Sequence, residues 1–153
     1  MEILRVLNAK EQEQLLNAIP LITVLVAGAD GKIDAIEMGK AEKIATIRSY
    51  SHHAELRSFY EKASQTLGAK LKGLIENLPN DLQERQEAIS EDLSQLNPIL
   101  AKLDTHAGHI FYESFLSFAE HVAKASGGVI GVFTINKEEK KVIQLPMIKP
   151  ILE

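Results

Sequence analysis

The chain has 153 residues, a formal net charge of -4 and a pI near 5.8. This length suits one domain with its own hydrophobic core, and the acidic balance argues against a general nucleic-acid binder, because phosphate contacts need a basic face. The absence of cysteine excludes a thiolate nucleophile, a disulfide framework and a cysteine-ligated metal centre.

No run of the sequence approaches the ~20 apolar residues of a membrane-spanning helix. The first residues also lack the basic and then apolar pattern of a secretion signal. We therefore expect a cytoplasmic protein with no membrane span, although peripheral association with a membrane stays open. Only 5% of the residues are aromatic, and Leu, Ala, Glu, Lys and Gln are abundant, which favours aliphatic helix packing and predicts an all-α fold.

The first predicted element is a short helix over residues 9–19. Pro20 is expected to end it and to start a buried element, because residues 20–29 carry only Thr23 as a polar side chain. The same run suits a strand, and a strand before Gly28 and Gly31 allows a nucleotide-loop interpretation. That alternative is weak, since neither GxGxxG nor GxxxxGK[ST] is present.

Residues 35–49 show helical periodicity. The pattern places five apolar positions inside (Ile36, Ala41, Ile44, Ala45 and Ile47) and four charged ones outside (Lys40, Glu42, Lys43 and Arg48). Two short helices are predicted next, over residues 54–65 and 67–78.

The remaining elements are also predicted to be helices. A capping box at Asn80 starts a long helix that Pro98 kinks without ending. Gly108 then separates it from a central core helix over residues 109–125. A glycine-rich apolar loop containing residues 129–133 follows, and the last helix runs from residue 137 to about 148. Packing of that loop across the core is favoured over an exposed patch that docks a partner.

The sequence contains a weak internal repeat built on two glycine turns. Ala29-Asp30-Gly31 is followed by Ile33-Asp34-x-x-Glu37, and Ala125-Ser126-Gly127 is followed, after an insertion, by Ile135-Asn136-x-x-Glu139. Each copy has the pattern of a helix, a turn and a second helix. The sequence therefore predicts a single domain over residues 1–153, made of two pseudo-repeated helical-hairpin halves.

The first turn carries the only candidate site with a chemical signature. Asp30, Asp34 and Glu37 match the second half of a calcium-binding loop in their spacing, but Val26 and Gly28 occupy the places of its two earlier ligands. A complete EF-hand is therefore excluded. All-oxygen ligands would favour Ca²⁺ or Mg²⁺, and the small ligand set implies weak binding.

A structural interpretation of the same residues stays open beside the metal site. Asp34-x-x-Glu37 and Asn136-x-x-Glu139 both fit helix capping boxes, and Gly31 and Gly127 fit left-handed residues that end the preceding helices. Capping leaves Asp30 unexplained, because a carboxylate at the carboxyl end of a helix opposes the macrodipole by about 0.3–1 kcal/mol. A bound cation would reverse that cost.

The segment Ala29-Asp30-Gly31-Lys32-Ile33-Asp34-x-x-Glu37, repeated in weakened form near the carboxyl end, resembles the TerB-like family associated with tellurite resistance. The resemblance implies an all-helical domain of about seven or eight helices in two related halves. It also implies a divalent-cation site on Asp30, Asp34 and Glu37, with Glu139 as a weaker match, and a stress-response role in partnership with other proteins.

Other candidate sites are weaker. His106, His109 and Glu113 have spacing compatible with zinc, but Gly108 between the histidines favours scattered polar side chains at a helix start. His121 is the histidine expected to be partly buried. Spacing alone establishes no catalytic arrangement, so we expect a protein that is not an enzyme.

Overall fold

The structure, a computed structural model, describes residues 4–29, 35–51, 53–126 and 137–152 and, within them, all side chains except those of residues 35–37, 49–51, 55, 126 and 137–139. These ranges form helices and no strand, which confirms the all-α prediction. The helices are α1 (Ala9–Ala27), α2 (Ala35–Ser51), a 3-10 turn (Ala54–Leu56), α3 (Arg57–Asn77), α4 (Leu82–Ser94), α5 (Leu96–Lys102), α6 (Thr105–Ser126) and α7 (Lys137–Val142). The total number of helices and the duplication into two halves stay predictions, because residues 30–34 and 127–136 lie outside these ranges.

Helix α1 passes through Pro20, so the predicted end at this residue and the alternative strand are both wrong. The helix begins with a capping box, in which Asn8 Oδ1 accepts from the Glu11 N–H at 2.8 Å and Glu11 Oε1 accepts from the Asn8 N–H at 3.0 Å. Proline inside a helix costs about 3 kcal/mol, since it lacks an N–H donor. Burial of every residue from Pro20 to Ala27 offsets that cost.

Helices α2 and α3 pack against each other and run in opposite directions. Glu42 lies beside Gly68, and Arg48 lies beside Tyr60, so positions that ascend along α2 meet positions that descend along α3. Helix α3 is continuous over Arg57–Asn77, not divided into two short helices as predicted. Gly68 lies inside this helix, and a Cβ at this glycine would lie 3.1 Å from Glu42 Oε1, the end of a flexible, exposed side chain of α2.

An aromatic cluster joins α3 to α6 in the core. The ring centroid of Phe59 lies 5.4 Å from that of Tyr60, 5.1 Å from that of Phe111 and 6.2 Å from that of Phe115. The first two pairs are edge-to-face, the arrangement that the ring quadrupoles favour. Helix α1 packs against both α3 and α6, so the three helices share one core.

The predicted long helix after Pro79 is divided at Gln95 into α4 and α5. Pro98 is the cause, because it cannot donate to Ser94 O and its ring crowds that carbonyl. The cap of α4 is also one residue later than predicted: Asp81 Oδ2 accepts from the Glu84 N–H at 3.0 Å.

Helix α6 begins at Thr105, four residues before the predicted start, and contains Gly108. Asp104 caps it by accepting from the Ala107 N–H at 2.8 Å. A Cβ at Gly108 would lie 3.3 Å from Leu100 O and 3.2 Å from Ile151 Cδ1. Glycine suits this position because the neighbouring chain comes so close, and it does not end the helix.

Helix α7 ends at Val142, about six residues earlier than predicted, and residues 143–151 form an irregular C-terminal segment. Pro146 disfavours helical backbone at the preceding residue, and Leu145 is buried with a left-handed φ of 46°. Asn97 of α5 holds the segment in place: its Nδ2 donates to Met147 O at 3.0 Å, and its Oδ1 accepts from the Lys149 N–H at 2.8 Å.

None of the helices within the described ranges is both long enough and apolar enough to cross a membrane.

Candidate functional site

The predicted metal ligands lie at the junction between α1 and α2. Helix α1 ends at Ala27 and α2 begins at Ala35, so the acidic stretch, residues 30–37, covers part of the chain between the two helices and the first residues of α2. Asp30 and Asp34 lie outside the described residues. The backbones of Glu37 and Glu139 lie on α2 and α7, but their side chains are not described. The metal site therefore stays a prediction.

The carboxyl end of α1 is well defined up to Ala29. The Gly28 N–H donates to Val24 O at 3.0 Å, and the Ala29 N–H donates to Val26 O at 3.2 Å. Gly28 is the capping residue and has an ordinary negative φ of -94°. The prediction that Gly31 ends this helix is therefore wrong, since the helix closes three residues earlier.

A buried arginine binds this helix end. Arg85 of α4 is only 5% exposed, and its Nη2 donates to Gly28 O at 3.0 Å, while Nη1 donates to Asn80 O at 3.4 Å. A cation at the carboxyl end of a helix complements the macrodipole. Part of the positive charge that the sequence argument assigned to a metal is thus supplied by a side chain 57 residues away.

The end of α6 is bound by a basic side chain in the same way. Lys40 of α2 donates from Nζ to Ala125 O at 3.1 Å. Ala125 is the next-to-last residue of α6, directly before the second glycine turn of the sequence. The helices that precede the two turns therefore both end on a cation from another helix.

Arg48 is a second buried basic residue. It lies between α2, α3 and α6, so its predicted place on the outside of α2 is wrong. Arg48 is 4% exposed, whereas its neighbour Ile47, predicted inside, is 60% exposed. Arg48 lies on the stripe of Ala41 and Ala45, which face the core. The apolar periodicity was therefore assigned one position out of phase at the end of α2.

The guanidinium of Arg48 is held by polar and aromatic groups. Its Nη2 donates to Ser117 Oγ at 2.8 Å and to His121 Nδ1 at 2.8 Å, and its Cζ lies 5.3 Å from the Tyr60 ring centroid and 5.7 Å from the Phe118 centroid. Hydrogen bonds and ring faces together compensate a buried guanidinium. Arg48 therefore links the carboxyl-terminal half of α2 to α3 and α6.

Two titratable partners of Arg48 have shifted pKa values. Burial raises the pKa of Tyr60, against the opposing effects of Arg48 and of a 2.5 Å hydrogen bond to Ser114 Oγ. The pKa of His121 is lowered from 6.5, first by partial burial and then by the positive charges of Arg48 and Lys124, with Glu120 opposing. His121 is exposed over much of its surface, but its Nδ1 faces Arg48.

Acidification is expected to weaken the fold through His121. Because a guanidinium only donates, His121 Nδ1 must accept, and its neutral proton lies on Nε2. The lowered pKa means that the unfolded chain binds the proton first, so stability is complete above pH 6.5 and falls as the pH drops below it. Urea unfolding between about pH 7.5 and 5.5 should show the wild type losing stability relative to His121→Gln, whose amide oxygen accepts without titrating. Parallel pH profiles for the two proteins would contradict this assignment.

The histidines of the zinc hypothesis share one face of α6, because Gly108 does not interrupt that helix. His106, His109 and Glu113 line an open cavity of about 440 Å³ together with His53. His109 Nδ1 donates to Ile151 O at 2.6 Å, since a carbonyl only accepts. However, the side chains described contain no group of three histidine or acidic residues able to hold a metal ion. The cavity thus gives no support to a zinc site.

Sequence reasoning missed Arg48 and Arg85 because it assigned charged residues to the surface. A signal was present in both helices. Arg85 falls between Leu82 and Ile89 on the stripe of α4 that faces the core, as Arg48 does on α2. A lone arginine on an apolar stripe indicates a buried cation that reaches acceptors elsewhere in the fold.

Comparison with protein-family models, with curated proteins and with solved structures finds no match to this chain. The TerB-like resemblance therefore rests on the residues of the first glycine turn and its weaker copy.

Proposed function

We propose that this chain is a non-enzymatic, TerB-like domain of the cytoplasm that binds a divalent cation weakly and acts through a protein partner in a stress response of the tellurite-resistance type. The observation that supports the proposal is the position of the acidic stretch. Asp30, Asp34 and Glu37 occur within eight residues of the sequence, directly between the end of α1 and the first turn of α2.

Ca²⁺ or Mg²⁺ is the proposed ligand, because both prefer carboxylate and carbonyl oxygens. Glu139 is proposed as a weaker fourth acid. Three carboxylates without the two earlier loop ligands imply a dissociation constant of about 10⁻⁴ to 10⁻³ M. Arg85, bound to Gly28 O, adds a positive charge two residues before Asp30 in the chain, which works against tight binding of a second cation.

A second candidate function is a purely structural interaction domain whose acidic stretch only caps α2. Two observations favour it. Asp34 directly precedes Ala35, the first residue of α2, and Glu37 follows three residues later, which is the spacing of a capping box. Arg85 also complements the end of α1 without any metal.

Thermal unfolding with and without metal separates these two functions. Wild-type protein should be melted in EDTA and in about 10 mM CaCl₂ or MgCl₂, which is roughly 100 times a dissociation constant of about 0.1 mM. Binding at that ratio adds about 2.7 kcal/mol, or roughly 5–11 °C in Tm for a chain of this size. Asp30→Asn should abolish the rise.

The matched control is Asp92→Asn, an exposed acid on α4 that is distant in sequence from the acidic stretch. It should keep the full metal response, and NaCl of equal ionic strength should produce none. If neither metal raises the Tm and Asp30→Asn is neutral or stabilising, the acidic stretch is a helix cap only and the cation half of the proposal is wrong.

A further inference from the structure

An apolar groove runs along α6 beside the C-terminal segment. It has a volume of about 640 Å³, within the range of sites that hold drug-sized ligands or peptide side chains. Leu116 of α6 and Ile143, Pro146 and Pro150 of the opposite wall supply its apolar surface. This groove, called the α6 groove below, lies apart from the acidic stretch in the sequence and is formed entirely by described residues.

The walls of the α6 groove offer an extended peptide few backbone N–H donors. Helix α6 bonds its own backbone internally. In residues 145–150 the two prolines have no N–H, and the N–H groups of Leu145, Ile148 and Lys149 already donate to Val142 O, Leu145 O and Asn97 Oδ1, which leaves Met147 as the further donor of this segment. A strand docked here would find few donors for its own carbonyl groups, and a buried carbonyl without a donor is costly. A helix satisfies them internally, so the groove favours a helical occupant.

The negative charges along the groove indicate that the occupant is positively charged. Glu113 and Glu120 both line it, and both are exposed. Seven residues of helix separate them by about 10.5 Å along the axis, or two turns. Glu120 pairs with Lys124 at 3.1 Å, but both side chains are about half exposed, and such exposed pairs contribute little to stability. Glu120 can therefore exchange Lys124 readily for a cation on a partner.

We propose that the α6 groove docks an amphipathic helix of a partner protein, with two lysines or arginines seven residues apart facing Glu113 and Glu120. Aliphatic residues between the two cations would pack on Leu116 and Pro146. The inference deepens the protein-interaction half of the proposed function and does not depend on the cation half. It identifies the partner by its surface chemistry: a basic, apolar helix.

The test uses a phage-displayed library of helical peptides of about 15 residues, the length at which isolated helices become stable in water. Selection on the wild-type protein should enrich peptides with basic residues at i and i+7 and leucine-like residues between them. A fluorescein-labelled synthetic copy of the best peptide is then titrated by fluorescence anisotropy. The double variant Glu113→Lys/Glu120→Lys should bind it about tenfold more weakly, since two attractions become repulsions.

The matched control is Glu61→Lys/Glu76→Lys, which makes the same change in net charge at exposed acids of α3 outside the groove. Equal losses in the two double variants, or enriched peptides without the basic pair, would overturn the proposal. So would a concentration-dependent dimer that Glu113→Lys/Glu120→Lys disperses, because the occupant would then be a second copy of the chain. Asp30→Asn and EDTA should leave peptide binding unchanged, so a failed groove and a failed cation site are distinguishable.

Discussion

Phe59→Ala is expected to lower the free energy of unfolding by about 3–5 kcal/mol, the usual cost of emptying a buried aromatic site. Phe59 is fully buried, and its ring contacts Phe111 and Tyr60 edge-to-face, so the substitution also removes aromatic pairs worth roughly 0.5–1.5 kcal/mol each. Urea denaturation measures the change, and the Tm should fall by roughly 6–20 °C.

The control lies on the same helix. Ile75→Ala changes an aliphatic side chain that is 40% exposed and should alter the stability by less than about 1 kcal/mol. If Phe59→Ala were no more costly than Ile75→Ala, the aromatic cluster between α3 and α6 would not be the centre of the core.

Arg85→Met is expected to lower the free energy of unfolding by about 2–4 kcal/mol. This is a large loss for an arginine whose two hydrogen bonds go to neutral carbonyl groups. Hydrogen bonds to a charged group are worth about 1.5–3 kcal/mol, and the cation at the end of α1 adds about 0.3–1 kcal/mol. Methionine keeps much of the volume but leaves the buried Gly28 O without its donor. Urea unfolding at neutral pH gives the difference directly.

Arg85→Lys separates charge from geometry. Lysine keeps the positive charge but lacks the planar fork that reaches both Gly28 O and Asn80 O, so an intermediate loss is expected. Lys62→Met, which removes an exposed cation from α3, should be near neutral. A stable Arg85→Met protein would mean that water replaces the guanidinium at the end of α1.

Local sequence signals misplaced several helix boundaries, and the reason is the same in each case. Pro20 and Gly108 are helix breakers by intrinsic propensity, yet both lie inside helices. Burial of the residues after Pro20 offsets the lost hydrogen bond, and Gly108 accommodates neighbouring chain that a larger residue would displace. Such neighbours are distant in sequence, so propensity contains no information about them.

The candidate site was predictable only as a pattern of residue types. Spacing identified Asp30, Asp34 and Glu37, and the structure adds that α1 ends before Asp30 and that α2 begins directly after Asp34. The groups that complement the helix ends were not predictable, because Arg85 and Lys40 reach Gly28 and Ala125 across 57 and 85 residues of sequence. The α6 groove was likewise absent from the sequence analysis, since its two walls meet only in the fold.

The sequence by itself determined the all-helical class, because helical periodicity and composition act within one or two turns of chain. It also determined the acidic stretch, a pattern of eight consecutive residues. Tertiary structure alone decided which charged residues are buried: Arg48 and Arg85 lie inside because acceptors from other helices compensate their desolvation. It also decided where helices end, because burial and close approach between helices outweigh the preferences of single residues.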